Sequence, residues 1–133
     1  MNACSIDIVE LLESESGLGL VFAKTLFVSI EPTSPPDCVT IFDTTSIPPQ
    51  LNLTSQGYEY PSVQIRVRNK DFQTGWNLIE TIKTLLHGLG NVTIGDYLYS
   101  VIYCASGPAL LDFDENSRAR IICNFNLQRR ASV

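Results

Sequence analysis

Residues 60–88 read YPSVQIRVRNKDFQTGWNLIETIKTLLHG, and this stretch decides the fold. From Ser62 to Arg68 the side chains alternate, with Val63, Ile65 and Val67 on one side and Gln64, Arg66 and Arg68 on the other. A period of two sets one row against a core and the other against water or a partner. At Asp71 the period changes. Phe72, Trp76, Ile79, Ile82 and Leu86 recur at helical spacing, and Leu78, Leu85 and Leu89 widen the stripe, which predicts an amphipathic helix. Asp71 is placed to cap its start, and Gly88 and Gly90 to stop it. A one-sided strand that runs directly into a one-sided helix predicts a sheet with a helix packed on one face.

Outward from this centre, Tyr97 to Ala105 and Ala119 to Gln128 read as strands, with a loop from Ser106 to Ser117 between them. The last strand turns Ile121, Cys123, Phe125 and Leu127 to the core, and leaves Asn124, Asn126 and Gln128 with Ile122 on the other face. Two strands joined by a loop predict an antiparallel hairpin. Towards the N-terminus, residues 3–15 carry Ile8, Leu11 and Leu12 among acids and predict a short helix, with Gly17 beyond it. Residues 18–30 alternate through Leu20, Phe22, Leu26, Val28 and Ile30, which reads as a long strand bent near Ala23 and Lys24. Pro32, Pro35 and Pro36 enforce a loop, Cys38 to Thr44 is rich in strand formers, and residues 45–60 read as an irregular surface loop. The expected architecture is α+β, one domain over residues 1–133. A mainly antiparallel or mixed sheet of about five strands packs on one long helix, with a short N-terminal helix in addition.

A chain of 133 residues suits one domain, and 44% hydrophobic with 17% charged residues suits a packed one. The net charge of −5 lacks the basic excess with which a compact protein neutralises phosphates. No apolar run approaches the ~18 residues of a membrane span, and no basic leader precedes an apolar segment. The chain is expected in the cytoplasm where it is made, without a membrane partner. Four cysteines without a C-x-x-C pair, and one histidine, offer no clustered zinc ligands. No metal or cofactor is expected, and the cysteines are expected to stay reduced.

Catalytic patterns are equally sparse. His87 falls in the last helical turn, where a cationic side chain suits the helix dipole. No G-x-S-x-G elbow surrounds a serine. The segment Asp112-Phe-Asp114-Glu-Asn116 begins like a calcium loop, but its sixth position is Ser117 and its twelfth Cys123. A small enzyme built on these carboxylates would need them in a pocket with a raised pKa.

The arginines are grouped: Arg66 with Arg68, Arg118 with Arg120, and Arg129 with Arg130. Such pairs serve as solvated surface, or as a band that faces a neighbouring subunit or DNA, since the guanidinium fork holds carboxylates and phosphates. The expected interface joins Arg66 and Arg68 to Asp112, Asp114 and Glu115 of an adjacent copy or of another subunit. Arg118, Arg120, Asn124, Asn126 and Gln128 are expected on the same polar surface.

Several stretches together resemble one family. They are residues 60–69, residues 71–88 with Gly75-Trp76-Asn77, Gly107-Pro-Ala-Leu-Leu-Asp112 followed by Asp114-Glu-Asn116, and Asn124-Phe-Asn-Leu-Gln-Arg129. This pattern is similar to the phage minor capsid proteins grouped with the tail terminators. It runs over nearly the whole chain and is strongest from Tyr60 to Arg129. The resemblance implies a structural, non-enzymatic protein that caps the tail tube as a hexameric ring, ends tail polymerisation and joins the head connector. It implies as partners further copies of itself, the tail tube protein, a head–tail connector protein, and DNA in transient contact as it passes through the ring. It implies a place in the virion, at the tail or the head–tail junction, after assembly in the host cytoplasm. A different connector or minor capsid component is the related alternative.

Overall fold

The computed structural model describes residues 2–49 and 57–131. The elements are α1 (Cys4–Ser14), β1 (Leu26–Val28), β2 (Cys38–Ile47), β3 (Tyr60–Asn69), α2 (Phe72–Leu86), β4 (Val92–Ile94), β5 (Tyr97–Phe113) and β6 (Ala119–Ala131). The six strands form one sheet in the order β1-β2-β3-β6-β5-β4. Only β1 and β2 pair in parallel, and every other ladder is antiparallel.

The central alternation becomes β3, with Val63, Ile65 and Val67 fully buried while Gln64 and Arg66 stay half-buried on the opposite face. Asp71 caps α2 by accepting the Thr74 amide at 3.0 Å. Ile79, Ile82 and Leu86 are buried against the sheet, while Phe72, the first member of the predicted stripe, lies outside the core. Gly75 sits where the helix crosses most closely. A Cβ there would come within 3.0 Å of the Asn69 Cβ and 3.1 Å of the Ile121 side chain. The cost of glycine in a helix interior is therefore offset by close packing.

Helix α1 is capped from a distance. Ala3, its N-cap, offers no side-chain acceptor. Asp43 on β2 accepts the Ser5 amide at 3.0 Å and the Ser5 hydroxyl at 2.6 Å instead. A carboxylate at this end also suits the helix dipole. Cys4, Ile8, Val9 and Leu12 then join the cluster formed by α2 and the sheet, so both helices cover the same face.

A buried polar knot ties α1 to the far side of the sheet. Asp7 and Arg129 are both buried, with Arg129 Nη1 3.7 Å from Asp7 Oδ2. The Tyr99 hydroxyl donates to Asp7 and accepts from Arg129 Nη1 at 3.1 Å. Asn2 donates to Asp7 at 3.2 Å, and the Arg129 guanidinium lies 3.8 Å from the Tyr97 ring centre. Burial pushes the Tyr99 phenol far above its ordinary value and the neighbouring Cys4 thiol up to about 12.

Four features differ from the sequence reading. The sheet has six strands rather than about five, because the three-residue β4 is too short to show alternation. The long helix shares its face with α1, which is a full core element. Residues 18–25 form no strand. The positive φ of Ala23 and the amides of Lys24, Thr25 and Leu26, all bonded to the Val21 carbonyl, make a tight turn. Residues 106–113 are not loop: β5 absorbs Gly107 and Pro108 as bulges and runs on to Phe113. In addition, β2 continues to Ile47, and residues 50–56 of the predicted irregular loop lie outside the described residues. Among the cysteines, Cys104 and Cys123 bring their sulfurs to 3.4 Å, within hydrogen-bond reach, without a disulfide.

Candidate functional site

Both helices lie on one face of the sheet, and the other face carries the side chains left over by the alternation. On β3 these are Ser62, Gln64, Arg66 and Arg68. On β6 they are Arg120, Ile122, Asn124, Asn126 and Gln128. Register brings them into rows: Ser62 opposite Asn126, Gln64 opposite Asn124, Arg66 opposite Ile122, and Arg68 opposite Arg120.

Half of this face is an uncharged amide network. The Ser62 hydroxyl donates to Asn126 Oδ1 at 2.8 Å, and Gln64 Nε2 donates to Asn124 Oδ1 at 3.2 Å. Asn124 Nδ2 reaches the Ser106 hydroxyl at 2.8 Å, and Asn126 Nδ2 reaches the Tyr103 hydroxyl at 3.4 Å. Arg66 joins it by donating to Gln64 Oε1 at 3.2 Å. Cross-strand bonds of this kind fix side-chain directions, so the face presents amides in set positions.

The other half is an ionic cluster around Glu31. Arg68 Nη1 lies 3.1 Å from Glu31 Oε1, with Arg66 and Arg120 each 3.6 Å from that carboxylate. Arg68 also donates to the Pro35 carbonyl at 2.7 Å and the Pro36 carbonyl at 3.1 Å. Arg118 donates to the Thr33 carbonyl at 2.9 Å and to Asp114 Oδ2 at 2.7 Å. The proline-rich segment is thus strapped over the end of the sheet by arginines that satisfy its carbonyls. Glu31, Arg68, Asp114, Glu115, Arg118 and Arg120 border a cleft of about 320 Å³.

Part of the expected charge pairing is made within one chain: Arg68 lies 4.0 Å from Asp114, and Arg118 and Arg120 pair with Asp114 and Asp112, whereas the carboxylate beside Arg66 is Glu31. Arg68 is 3% exposed and Arg118 is buried, so neither is an outward side chain as the alternation implied. Asp112 lies on β5 and pairs with Arg120 at 2.9 Å, without the alignment of a hydrogen bond. Glu115 is exposed in the turn that follows. Asp114 opens that turn and accepts the amides of Asn116 and Arg118 at 2.9 and 2.8 Å. Burial raises its carboxyl, but the hydrogen bonds from Arg118 outweigh this and hold it below the usual carboxylate range. The raised pKa that acid–base use of this loop would need is therefore missing at Asp114. His87 also has another task than the one read from its position: its Nδ1 accepts the Cys104 amide of β5 at 2.9 Å.

Glu31, the hub of the cluster, was not singled out by the sequence reading. Its signal was a lone acid beside a proline-rich segment in a chain with clustered arginines. Among the described residues, no group of three or more His, Cys, Asp or Glu side chains is placed to hold a metal ion, and no helix is long and apolar enough to cross a membrane.

A family model described as bacteriophage tail terminator protein matches residues 15–130. The chain belongs to that family. No curated protein sequence matches it. Among solved structures, a chain of the one described as "Virion of native gene transfer agent (GTA) particle" is similar in fold, with a TM-score of 0.69 at 11% identity, covering 97% of this chain and 96% of that one. At this identity the likeness is one of fold. It extends over α1, which the family match leaves out.

Proposed function

We propose that this tail terminator family member caps the growing end of a tail tube as a hexameric ring, ends tube polymerisation and provides the surface on which a head–tail connector docks. Family membership carries the reading. The face without helices supports it, because a face of fixed, uncharged amides can hydrogen-bond a partner strongly only in one register. The outer residues of the ionic half extend the same surface. Arg66 and Arg120 keep 21% and 25% of their side chains exposed, and the exposed part of a guanidinium can donate to a further acceptor. In our reading that acceptor comes from the tube or from an adjacent copy. Arg66, Arg120, Asp112, Glu115, Asn124, Asn126 and Gln128 form the contact, while Arg68, Arg118 and Asp114 hold its frame. DNA passing through the ring is in transient contact only, since the net charge of −5 gives no attraction to phosphate.

The test is electron microscopy of particles made without this chain. Tails of irregular, extended length are expected. Tails of normal length that fail to join heads would move the role to another connector component. Normal, infectious particles with tails of uniform length would end the proposal.

A further inference from the structure

Six of the ten large apolar residues exposed among the described residues lie at the two lateral edges of the sheet. At the β5 edge Leu110, Leu111 and Phe113 are 44%, 44% and 55% exposed, and at the β1 edge Val21, Phe22 and Ile30 are 44%, 47% and 76% exposed. Soluble proteins usually protect sheet edges with charge or cover, and contiguous exposed apolar surface marks an interaction site.

The register shows what is unusual about the β5 edge. Leu26, Val39, Val67 and Ile121 lie side by side across β1, β2, β3 and β6, and all are fully buried. Leu110 is the next member of the same row. It has the orientation of a core residue, but the helices do not reach it. Phe113 stands likewise beside the buried Ala119. Among the described residues no strand follows beyond β5 at this level, because β4 pairs only with Tyr97 to Tyr99.

The opposite edge is equally bare and equally rigid. β1 ends the sheet on that side. In the turn before it, the Val21 amide is held by the Thr25 hydroxyl at 3.0 Å, and the Phe22 amide by Glu13 at 2.8 Å. An exposed phenylalanine on so fixed a backbone loses little freedom on binding. The β5–β6 turn is fixed as well, by Asp114 and Arg118. The charges complement each other: exposed Lys24 flanks Phe22, and exposed Asp112 and Glu115 flank Phe113.

We propose that these two edges are the two halves of one heterologous contact between copies of this chain: Leu110, Leu111 and Phe113 of one copy pack on Val21, Phe22 and Ile30 of the next. Two different patches at opposite ends of one sheet repeat head to tail and close into a ring when the rotation allows. The contact is made by side chains and not by a continuous ladder, since Pro108 and the bulges of β5 interrupt its free edge. This rests on the ring reading and adds which surfaces form it.

The experiment compares the wild type with two variants, Leu110→Asp with Phe113→Asp and Val21→Asp with Phe22→Asp. Assembly is measured by analytical ultracentrifugation, with tail tube protein present as nucleus, and folding by circular dichroism. The wild type is expected to form rings and each variant, folded, to remain monomeric. An equimolar mixture of the two variants is expected to form a heterodimer, because it keeps one intact contact, and nothing larger. Folded variants that still form rings overturn the edge assignment and leave the ring standing, and so does a mixture that stays monomeric. A wild type that forms no ring overturns the ring reading, and this contact with it. Should either variant unfold, the milder Leu110→Ser with Phe113→Ser and Val21→Ser with Phe22→Ser are read in the same way.

Discussion

Strand β5 passes through two environments while keeping one partner. In its first half Tyr97, Tyr99 and Ile102 are buried, and its outer edge is closed by β4 and by a bridge from Leu89 to Ile102. In its second half, from Ala105 onwards, every residue but Pro108 is exposed. Pairing with β6 continues along both halves, from Tyr97 opposite Ala131 to Phe113 opposite Ala119. The hydrogen-bonded ladder is thus indifferent to what lies above it. Burial, and with it stability, depends on the second layer. The first half belongs to the core of this chain, and the second half behaves as core that another molecule must cover.

The sharpest way to break this comparison is at the knot under the first half. Asp7→Ala removes the fully buried carboxylate beside Arg129, which keeps only the partly exposed Glu59 at 3.2 Å, and removes the acceptor of the Tyr99 hydroxyl. Breaking a buried pair on one side costs about 3–5 kcal/mol. Urea unfolding of this variant should show a loss of that size. A loss below about 1 kcal/mol would mean that the knot is wet and that the two halves differ less than their exposures suggest.

The next comparison is within the strand itself. Ile102→Ala empties a fully buried site and should cost about 2–5 kcal/mol. Leu110→Ala removes a similar side chain from an exposed position on the same strand, and in the monomer should change stability by no more than about 0.5 kcal/mol. Equal losses in the monomer would place the second half inside the cooperative core and remove the reason to look for a partner there.

Acid should also act at the turn that ends the second half. The Asp114 carboxyl is held below the usual carboxylate range, so it stabilises the folded state above the ordinary aspartate value of ~3.9. That contribution is lost as pH falls through its folded value. The stability difference between wild type and Asp114→Asn should therefore be constant near neutrality and shrink below pH ~4. A difference that grows on acidification would have the wrong sign for a hydrogen-bonded carboxylate.

The same contrast explains what was legible in the sequence. β3, α2 and most of β6 were, since each has a dry face and a wet face and thus a clear period. The second half of β5 was not. With no helix above it, Leu110, Leu111 and Phe113 carry no alternation, and Gly107 with Pro108 look like the punctuation of a loop. The turn at Val21 to Leu26 misled in the opposite direction, because Leu20, Phe22 and Leu26 fall on one parity although local hydrogen bonds wrap the backbone between them. The polar row of β6 was legible as a surface, but the partners of the arginines were not. Glu31 lies far in sequence from Arg68 and Arg120 and meets them only because the proline-rich segment crosses the sheet.

The smallest effect expected is at the ion pair of the second half. Asp112 is 49% exposed and Arg120 25%, with 2.9 Å between them. Asp7 and Arg129 have the same charges at 3.7 Å, but with side chains 0% and 10% exposed. If distance alone governed strength, the Asp112 pair would be the stronger. Solvent reverses that order. Exposed pairs contribute ~0–1 kcal/mol, and salt weakens them further, whereas a buried charge has no water to replace a lost buried partner. Asp112→Asn should therefore cost the monomer less than about 1 kcal/mol at low salt and still less at high salt. The measurement is urea unfolding of wild type and variant at both ionic strengths. A loss comparable to that of Asp7→Ala, and insensitive to salt, would show that Asp112 is shielded from water in the free chain. The second half of β5 would then not be the open edge on which the proposed contact depends.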